Sequence, residues 1–438
     1  MKKRKFLTAG LSVLLAAGMV VGCGSGSTTD AGNDNLAANG AGGGEKVTLK
    51  VALWDYSNLE YYKTMFAAFS EKYPNVTIEP IEFAADEYDN TLTTQLGGKQ
   101  DFDVVFTKGT PALSALILQN HLLPLDQYME ADPDFSADDY QGLVSQLGLN
   151  GSTYAVPFRK DNNMVFYNKD LFDAAGAKYP QDGMTMAEYH ELAAKMTGGT
   201  GNDKVYGAHV HTWPSNVNQF ARRIEAFDYL DKETYTALKP YYDEILAMQD
   251  AGVIQDYGVL KSSNIHYSGV FYNQQAAMVQ MGSWFINMLC ENASDFNWGA
   301  CSIPNDEGIG NTVGVGGVTP VSIGAYAKHP EEAWALINFI CGEEGASILA
   351  ENGIVPGFGS DAINQIFDEL PGTYPTAPQN LSVYLDLDTY VIEQPMDPLT
   401  KVIDSIFKEE HSAIMTKSVT VDEGLQRIYD RVTEAEAK

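Results

Sequence analysis

The apolar positions of this chain change repeatedly from alternating to helical spacing. Val47 to Leu53 alternates apolar and polar residues, which predicts a half-buried strand that ends at Trp54-Asp55. Tyr62 to Tyr73 places apolar residues at helical spacing, and Pro74-Asn75 ends that helix. A strand at 76–81, a helix at 86–96 and a strand at 104–106 follow. We therefore predict an α/β fold in which helices cover a parallel sheet.

The ends of these strands are the first candidate positions for a ligand. In α/β sheets, ligands lie beyond the carboxyl ends of the strands. These ends are Trp54-Asp55 and Thr107-Lys108. We also expect Thr110 to cap the next helix, because Pro111 suits the first helical position.

A second block of strands and helices begins near Asn150. Asn150-Gly151 predicts a hairpin turn before a strand at Tyr154 to Phe158. Thr185 and Glu188 have capping-box spacing and predict a helix to about Met196. The other predicted strands are 164–167, 277–281 and 318–323. The other predicted helices are 215–226, 232–250 and 421–435, and three more that begin at 283 or 284, at 330 and at 398.

The first 45 residues have the pattern of an export signal and a spacer. Four basic residues at positions 2–5 precede an apolar stretch, Phe6 to Val21, that is too short to span a membrane comfortably. Val20-Val21-Gly22-Cys23 resembles a bacterial lipobox, in which the chain is cut before the cysteine and the thiol is lipidated. We expect a signal peptide at 1–22, a flexible linker at 23–45 and a lipid such as palmitate on Cys23. An ordinary signal peptide with a chance cysteine is the alternative.

The amino-acid composition argues against some classes of binding partner. The 438 residues include 58 acidic and 28 basic residues, a formal net charge of −30 that would repel nucleic acid and anionic lipid. With 45% hydrophobic residues, the chain can bury cores for two or three domains. Four cysteines are too few for a disulfide scaffold, and we expect Cys290, Cys301 and Cys341 to be free thiols, although export would permit a bridge between the first two.

Four segments, taken in order, give the chain a family resemblance. They are the strand to Trp54-Asp55 with Lys72-Tyr73-Pro74-Asn75-Val76, then Asp103-Val104-Val105-Phe106 with Leu123-Pro124-Leu125-Asp126, then Tyr154–Phe158 with Val165–Phe172, and finally Ala276–Trp284 with Gly316–Trp334. Tyr167-Asn168-Lys169-Asp170-Leu171-Phe172 is the most specific of them. Together they resemble the family 1 extracellular solute-binding proteins of bacterial ABC importers, which are similar in plan to maltose-binding protein.

This resemblance implies a two-lobe, periplasmic-binding-protein-like α/β fold with hinge crossings and a central ligand cleft. The implied limits are 46–158 plus 316–370 for the first lobe and 162–312 plus 380–438 for the second. Crossings are expected near Arg159–Asn163, Val313–Val318 and Pro371–Pro378. Their glycines and prolines suit hinges, where backbone angles change on closure, although plain loops are the alternative.

The expected cleft combines aromatic rings with planar polar groups, which is the chemistry that recognises a neutral sugar. Trp54, Trp213 and Trp284 are candidate platforms for sugar faces. Asp55, Arg159, Asp161 and Asn162 are candidate hydroxyl partners, and Arg159 is able to donate a fork of bonds. Family analogy adds Thr107, Lys108, Met281, Ser283 and Gly317. The alternatives are a core role for each aromatic residue and a helix cap for Asp55, whereas Trp298 and Trp334 are expected in the core.

The expected function is capture of a carbohydrate, an oligosaccharide by preference, by closure of the two lobes. The closed form would deliver it to the ABC permease subunits in the membrane. The protein is expected to be a monomer at the extracellular face of the membrane, without nucleic acid and with the lipid as its only membrane attachment.

No catalytic motif of the His-Glu-x-x-His, Gly-x-Ser-x-Gly or Walker type is present, so neither an enzyme nor a cofactor is expected. The turn at Asp132 resembles a calcium loop but has Ala137 and Leu143 where Gly and Glu are required. His209 and His211 alternate as zinc ligands do, without a third ligand nearby in sequence, so no metal is expected. Two alternatives stay open: a polyamine, peptide or anion in the same fold, or a surface glycan hydrolase, because the separation of carboxylates is invisible in sequence.

Overall fold

The computed structural model describes residues 46–305, 313–379, 381–385, 387 and 389–438. The predicted signal peptide, the linker and Cys23 lie outside the described residues. The strands are β1 Val47–Leu53, β2 Val76–Glu82, β3 Val104–Phe106, β4 Gly148–Leu149, β5 Ser152–Thr153, β6 Val156–Lys160, β7 Asn163–Asn168, β8 Tyr206–His209, β9 Ala276–Gly282, β10 Trp298–Ser302, β11 Val313–Gly316, β12 Val318–Ile323 and β13 Thr389–Ile392.

The described residues contain the ten helices that the sequence predicts and seven that it does not predict. They are α1 Glu60–Lys72, α2 Tyr88–Gly97, α3 Thr110–Leu118, α4 Asp126–Ala131, α5 Leu143–Gln146, α6 Lys169–Ala175, α7 Met186–Met196, α8 Ser215–Arg223, α9 Lys239–Asp250, α10 Tyr257–Ser262, α11 Tyr267–Tyr272, α12 Phe285–Asn292, α13 Pro330–Cys341, α14 Glu343–Glu351, α15 Asp361–Thr373, α16 Thr400–Met415 and α17 Val421–Glu436.

The first lobe is built on a sheet with the strand order β2-β1-β3-β12-β6. β1 pairs in parallel with β2 and β3, as predicted. β12 lies antiparallel between β3 and β6, so the sheet as a whole is mixed rather than parallel. The reason is topological: β12 enters this sheet after the chain has built the second sheet, and it runs in the opposite direction.

The second lobe is built on a sheet with the order β10-β7-β9-β8. Successive residues of β7 face opposite sides, as the pleat of a strand requires. Val165 packs with residues of α7, α9, α16 and α17. Phe166 packs on the other face with Val279, α12 and α15. The second sheet is therefore covered by helices on both faces, and α15 belongs to its packing.

Two crossings of the chain between the lobes lie side by side. β6 leads into β7 through Asp161 and Asn162, and β11 leads back into β12 through Gly317. β13 pairs in parallel with β11. The Tyr390 hydroxyl lies 2.7 Å from the Asp161 carbonyl oxygen and 2.8 Å from that of Gly317, so it bridges both crossings.

Local sequence rules account for several element ends. The Thr185–Glu188 capping box is present at the start of α7. Asn150 and Gly151, with φ angles of 55° and 84°, turn β4 into β5 as predicted. Thr110 is not the predicted cap: Gly109 precedes α3, and the Thr110 hydroxyl donates instead to the Gln394 carbonyl, which tertiary structure brings close.

The two tryptophans assigned to the core are buried, as predicted. Trp298 is fully buried in the second lobe and Trp334 is buried in the first. The Trp334 indole Nε1 donates to the Asp132 carboxylate at 2.8 Å, and the Asn338 amide donates to the same oxygen at 2.9 Å. Asp132 therefore has a structural role in the turn that resembles a calcium loop.

Candidate ligand-binding site

A cavity of about 450 Å³ is lined by residues from both lobes. On the first lobe it is bounded by the turn from Lys108 to Ala112, which follows β3, and by Gly317. On the second lobe it is bounded by Trp213, which follows β8. Its volume lies within the range of small-molecule pockets, roughly 300–1,000 Å³. The cavity thus brings together three of the predicted site residues: Lys108, Trp213 and Gly317.

The second lobe contributes a cluster of aromatic rings beside this cavity, which we call the aromatic cluster: His211, Trp213, Tyr267 and Trp284. The Trp213 ring centroid lies 4.5 Å from that of His211, 5.8 Å from Tyr267 and 6.1 Å from Trp284. The Trp284 indole donates to the Tyr267 hydroxyl at 3.0 Å, which fixes both rings. Trp213 is 37% exposed, so its ring is available to stack on a ligand.

A charged pair stands at the first crossing. Arg159 and Asp161 are both partly buried, and the Arg159 Nε donates to the Thr319 hydroxyl at 3.0 Å. Burial raises the pKa of Asp161 to about 6, although the Arg159 charge and a hydrogen bond from the Trp284 backbone oppose the shift. The same pair acts electrostatically on Tyr61 of α1 and on Tyr267 of α11. The pair therefore lies near aromatic residues of both lobes.

Asp55 lies at the end of β1, where the backbone turns with a φ angle of 55°. Leu59 occupies the cap position of α1, which has no side-chain capping bond, so the alternative role of Asp55 as a helix cap does not hold. Asp55 is partly buried and acts electrostatically on both Tyr61 and Arg159. It is thus close to the charged pair.

Trp54 and Thr107 are buried beneath the site rather than exposed in it. Trp54 is 7% exposed and packs edge-on against Tyr88, with 4.9 Å between ring centroids. Thr107 is fully buried, and its backbone N–H donates to the Pro320 carbonyl at 2.9 Å. The exposed Lys108 extends over the Trp54 ring, 5.3 Å from its centroid, and donates to the Ala85 carbonyl.

Asn162, Ser283 and Met281 are also engaged within the protein. The Asn162 amide donates to the Tyr384 carbonyl at 2.9 Å, and its oxygen accepts the Val315 backbone N–H. The Asn162 backbone N–H donates to the Ser283 hydroxyl at 3.1 Å. Met281 is 1% exposed among apolar residues of the second lobe. These contacts hold the crossing against the second sheet.

Three residues near the site were not predicted as ligand partners: Tyr61, Tyr267 and Glu393. Tyr61 is 3% exposed, and its hydroxyl has no hydrogen-bond partner among the described residues. Glu393 follows β13 and lines the cavity. Glu393 could not be predicted, because β13 spans only four residues and leaves no periodic pattern in the sequence. Tyr61 could have been predicted, because it lies beside Tyr62 at the start of a helical pattern.

The histidines considered as zinc ligands have other partners. His209 is buried, and its Nδ1 lies 2.7 Å from Gln255 Oε1 and its Nε2 3.4 Å from His211 Nδ1. Burial lowers the pKa of His209 to about 4 and that of His211 to about 3, so both are neutral at pH 7. In the part of the chain that the structure describes, no group of three or more His, Cys, Asp or Glu side chains is arranged to hold a metal ion. Cys290, Cys301 and Cys341 are buried free thiols.

Two lobes, paired crossings and a cavity lined from both sides define the class of two-lobe ligand-binding proteins. The model of the bacterial extracellular solute-binding protein family matches residues 56–347, about two thirds of the chain. The chain belongs to this family, which confirms the predicted resemblance and the predicted two-lobe fold. Among the described residues, we find no helix with the length and apolar character needed to cross a membrane.

Individual relatives agree with this assignment. A putative binding protein of Brucella abortus is 25% identical over 375 residues, 80% of each chain. The crystal structure of a sugar transporter from Rhizobium etli in an open conformation is 33% identical, covers 88% of this chain and 99% of its own, and has a TM-score of 0.76. An ABC substrate-binding protein from Listeria monocytogenes in complex with cycloalternan shares the fold at 19% identity, with a TM-score of 0.75 and coverage of 90% and 100%.

Proposed function

We propose that this protein captures a carbohydrate in the cavity between its lobes and delivers it, chemically unchanged, to an ABC permease. The observation that carries the proposal is the exposed face of Trp213 in a cavity lined from both lobes. A pyranose offers a weakly apolar face to such a ring and hydroxyl groups to planar polar partners. Arg159, Asp161 and Asp55 are the proposed partners for those hydroxyl groups.

The names of relatives support a sugar as the ligand class. The protein from Rhizobium etli is a sugar transporter by name. A multiple sugar-binding protein of Streptococcus mutans is 24% identical over 224 residues, 49% of its length, and a mannitol-binding protein of Pseudomonas aeruginosa is 25% identical over 34% of its length. We extend the proposal to an oligosaccharide, because the cavity of about 450 Å³ has room beyond the part that faces the exposed Trp213 ring.

We propose closure of the lobes as the mechanism. A ligand held by Trp213 on one side and by the Lys108–Ala112 turn on the other would stabilise the closed state in proportion to its contacts with both lobes. The lobe limits predicted from the sequence remain part of this proposal, with one change. The packing of α15 on the second sheet favours ending the second segment of the first lobe before Asp361.

Replacing the exposed tryptophan tests the ligand class. We expect the wild-type protein to bind one or more members of a panel of mono- and oligosaccharides with a rise in melting temperature. Trp213→Ala should raise the Kd by about tenfold or more through loss of ring stacking. Thermal unfolding measures the rise in melting temperature, and calorimetric titration measures the Kd. Tyr326→Ala removes an aromatic residue of similar exposure, 36%, that does not line the cavity, and should bind like the wild type.

Two results would contradict this proposal. The first is an absence of heat and of thermal shift with every sugar, together with binding of a polyamine, peptide or anion. The second is the appearance of new reducing ends when the protein is incubated with glycans, which would indicate a hydrolase. Recovery of the bound sugar with unchanged mass supports a binding protein.

The membrane attachment is proposed from the lipobox resemblance at Cys23. We expect the exported protein to remain with the membrane fraction and to incorporate a fatty acid label. Cys23→Ser should abolish the label and release the folded protein into the medium. Cys290→Ser, which alters a buried thiol of the second lobe, serves as the control and should remain labelled. Release of both variants, or of neither, would refute the anchor.

A further inference from the structure

Glu393 presents a carboxylate to the cavity from the segment that follows β13. It is partly buried and lines the cavity together with Trp213 and Gly317. Its backbone N–H donates to the Gly316 carbonyl at 2.8 Å. One carboxylate oxygen, Oε2, accepts a hydrogen bond from the Gln219 amide at 3.2 Å. Among the described residues, the other oxygen accepts no hydrogen bond and the carboxylate forms no ion pair.

The charged groups around Glu393 are committed to other partners. From α8, Arg222 binds Asp228 at 2.6 Å and the Ile392 carbonyl. From α16, Lys408 binds Asp404 at 2.6 Å, and Gln394 also donates to Asp404. The remaining titratable groups on the cavity wall are Asp89, Lys108 and Lys401, and Tyr229 and Tyr390 are the nearby phenols.

The burial of Glu393 and the charges around it bring its pKa near neutral pH. Burial raises the pKa of Glu393 to about 7, and the hydrogen bond from Gln219 opposes the shift. The Asp404 charge raises the pKa further, whereas Lys408 and Arg222 lower it. Both protonation states are therefore accessible under physiological conditions, and they differ in chemistry: the ionised carboxylate only accepts hydrogen bonds, whereas the acid also donates one.

We propose that Glu393 is a specificity-determining residue whose ionised carboxylate accepts hydrogen bonds from ligand hydroxyl groups, so that ligand capture is coupled to proton release from its acid form. The inference rests on the proposed function and assigns a polyhydroxylated ligand to that same cavity. Ligand hydroxyl groups donate to the ionised carboxylate, which only accepts hydrogen bonds. A ligand that binds this ionised form more tightly must lower the proton affinity of Glu393. Trp213 lines the same cavity and supplies the apolar face of the site.

Calorimetry of the wild-type protein with the best sugar of the panel tests the coupling. Titrations at pH 7 in two buffers of different ionisation enthalpy should show release of about half a proton per ligand. The Kd should rise about tenfold from pH 8 to pH 6, because the ionised fraction of a group with a pKa near 7 falls by that factor. Glu393→Gln should remove most of the proton release and reduce the rise in Kd from pH 8 to pH 6 to about twofold, the part that Asp161 with its pKa of about 6 accounts for. Glu409→Gln, a substitution on the exposed face of α16, should keep the wild-type profile.

The outcomes separate this inference from the proposed function. If no sugar binds at any pH, the proposed function fails and the inference fails with it. If a sugar binds with the same Kd at pH 6 and pH 8 and without proton exchange, Glu393 is not the coupled residue and the proposed function stands. A Glu393→Gln variant that retains the wild-type pH profile overturns the inference as well. The comparison of buffers needs no variant, so the test survives if Glu393→Gln does not fold.

Discussion

Gly316→Ala is expected to lower the free energy of unfolding by about 3 kcal/mol or more, in the range of overpacked cores and strained backbones. A Cβ atom at Gly316 would lie 1.6 Å from the Asp161 carbonyl oxygen, which is a backbone atom of the neighbouring crossing. That backbone cannot yield easily, because Tyr390 bridges it to Gly317 and β6 and β7 hold it on either side. Urea unfolding followed by tryptophan fluorescence measures the loss.

Gly317→Ala is the matched control one residue further along. A Cβ atom at Gly317 meets no atom within 4 Å, so the free energy of unfolding should change by about 0.5 kcal/mol or less. Because Gly317 lines the cavity, any effect of this variant should instead be on the Kd for the ligand. Equal destabilisation by both substitutions would contradict the view that the close approach of the two crossings is what requires glycine at position 316.

The regular elements could be predicted because their sequence patterns are local. The capping box at Thr185, the hairpin at Asn150-Gly151 and the strand at Val318–Ile323 each depend on residues close together in the chain. β13 could not be predicted, because its four residues form a strand only by pairing with β11, more than seventy positions earlier. The antiparallel direction of β12 is likewise a consequence of the crossings and is not encoded in its own pattern.

The candidate site could be predicted in part, for the same reason. Strand ends converge in an α/β sheet, and this rule together with the family resemblance brought Lys108 and Gly317 to the cavity. The rule does not state which side chain at a strand end faces the ligand. Trp54 turns inward and packs against Tyr88. The exposed Lys108 extends over the Trp54 ring. Tyr267 and Glu393 reach the site from elements distant in sequence, and only the fold places them there.

Arg159→Ala is expected to raise the Kd for the sugar by about a hundredfold, since charge-assisted hydrogen bonds contribute roughly 1.5–3 kcal/mol each. Within the described residues, the Arg159 guanidinium donates one N–H to the Thr319 hydroxyl. Its other N–H groups are the donors that we propose for ligand hydroxyl groups. Its loss should also raise the pKa of Asp161 above about 6, because the Arg159 charge is what opposes the effect of burial there. A larger fraction of Asp161 would then be protonated at pH 7, which weakens it as an acceptor.

Calorimetric titration with Arg159→Lys distinguishes charge from geometry. Lysine keeps the positive charge but not the planar fork, so Asp161 should stay ionised at pH 7 while the Kd rises by roughly tenfold. Arg427→Ala removes an arginine that is 55% exposed on α17 and should leave the Kd unchanged. If Arg159→Ala binds sugar like the wild type while keeping a cooperative melting transition, the charged pair at the first crossing is structural, and the hydroxyl partners must be sought around the other crossing, at Glu393 and the turn after β3.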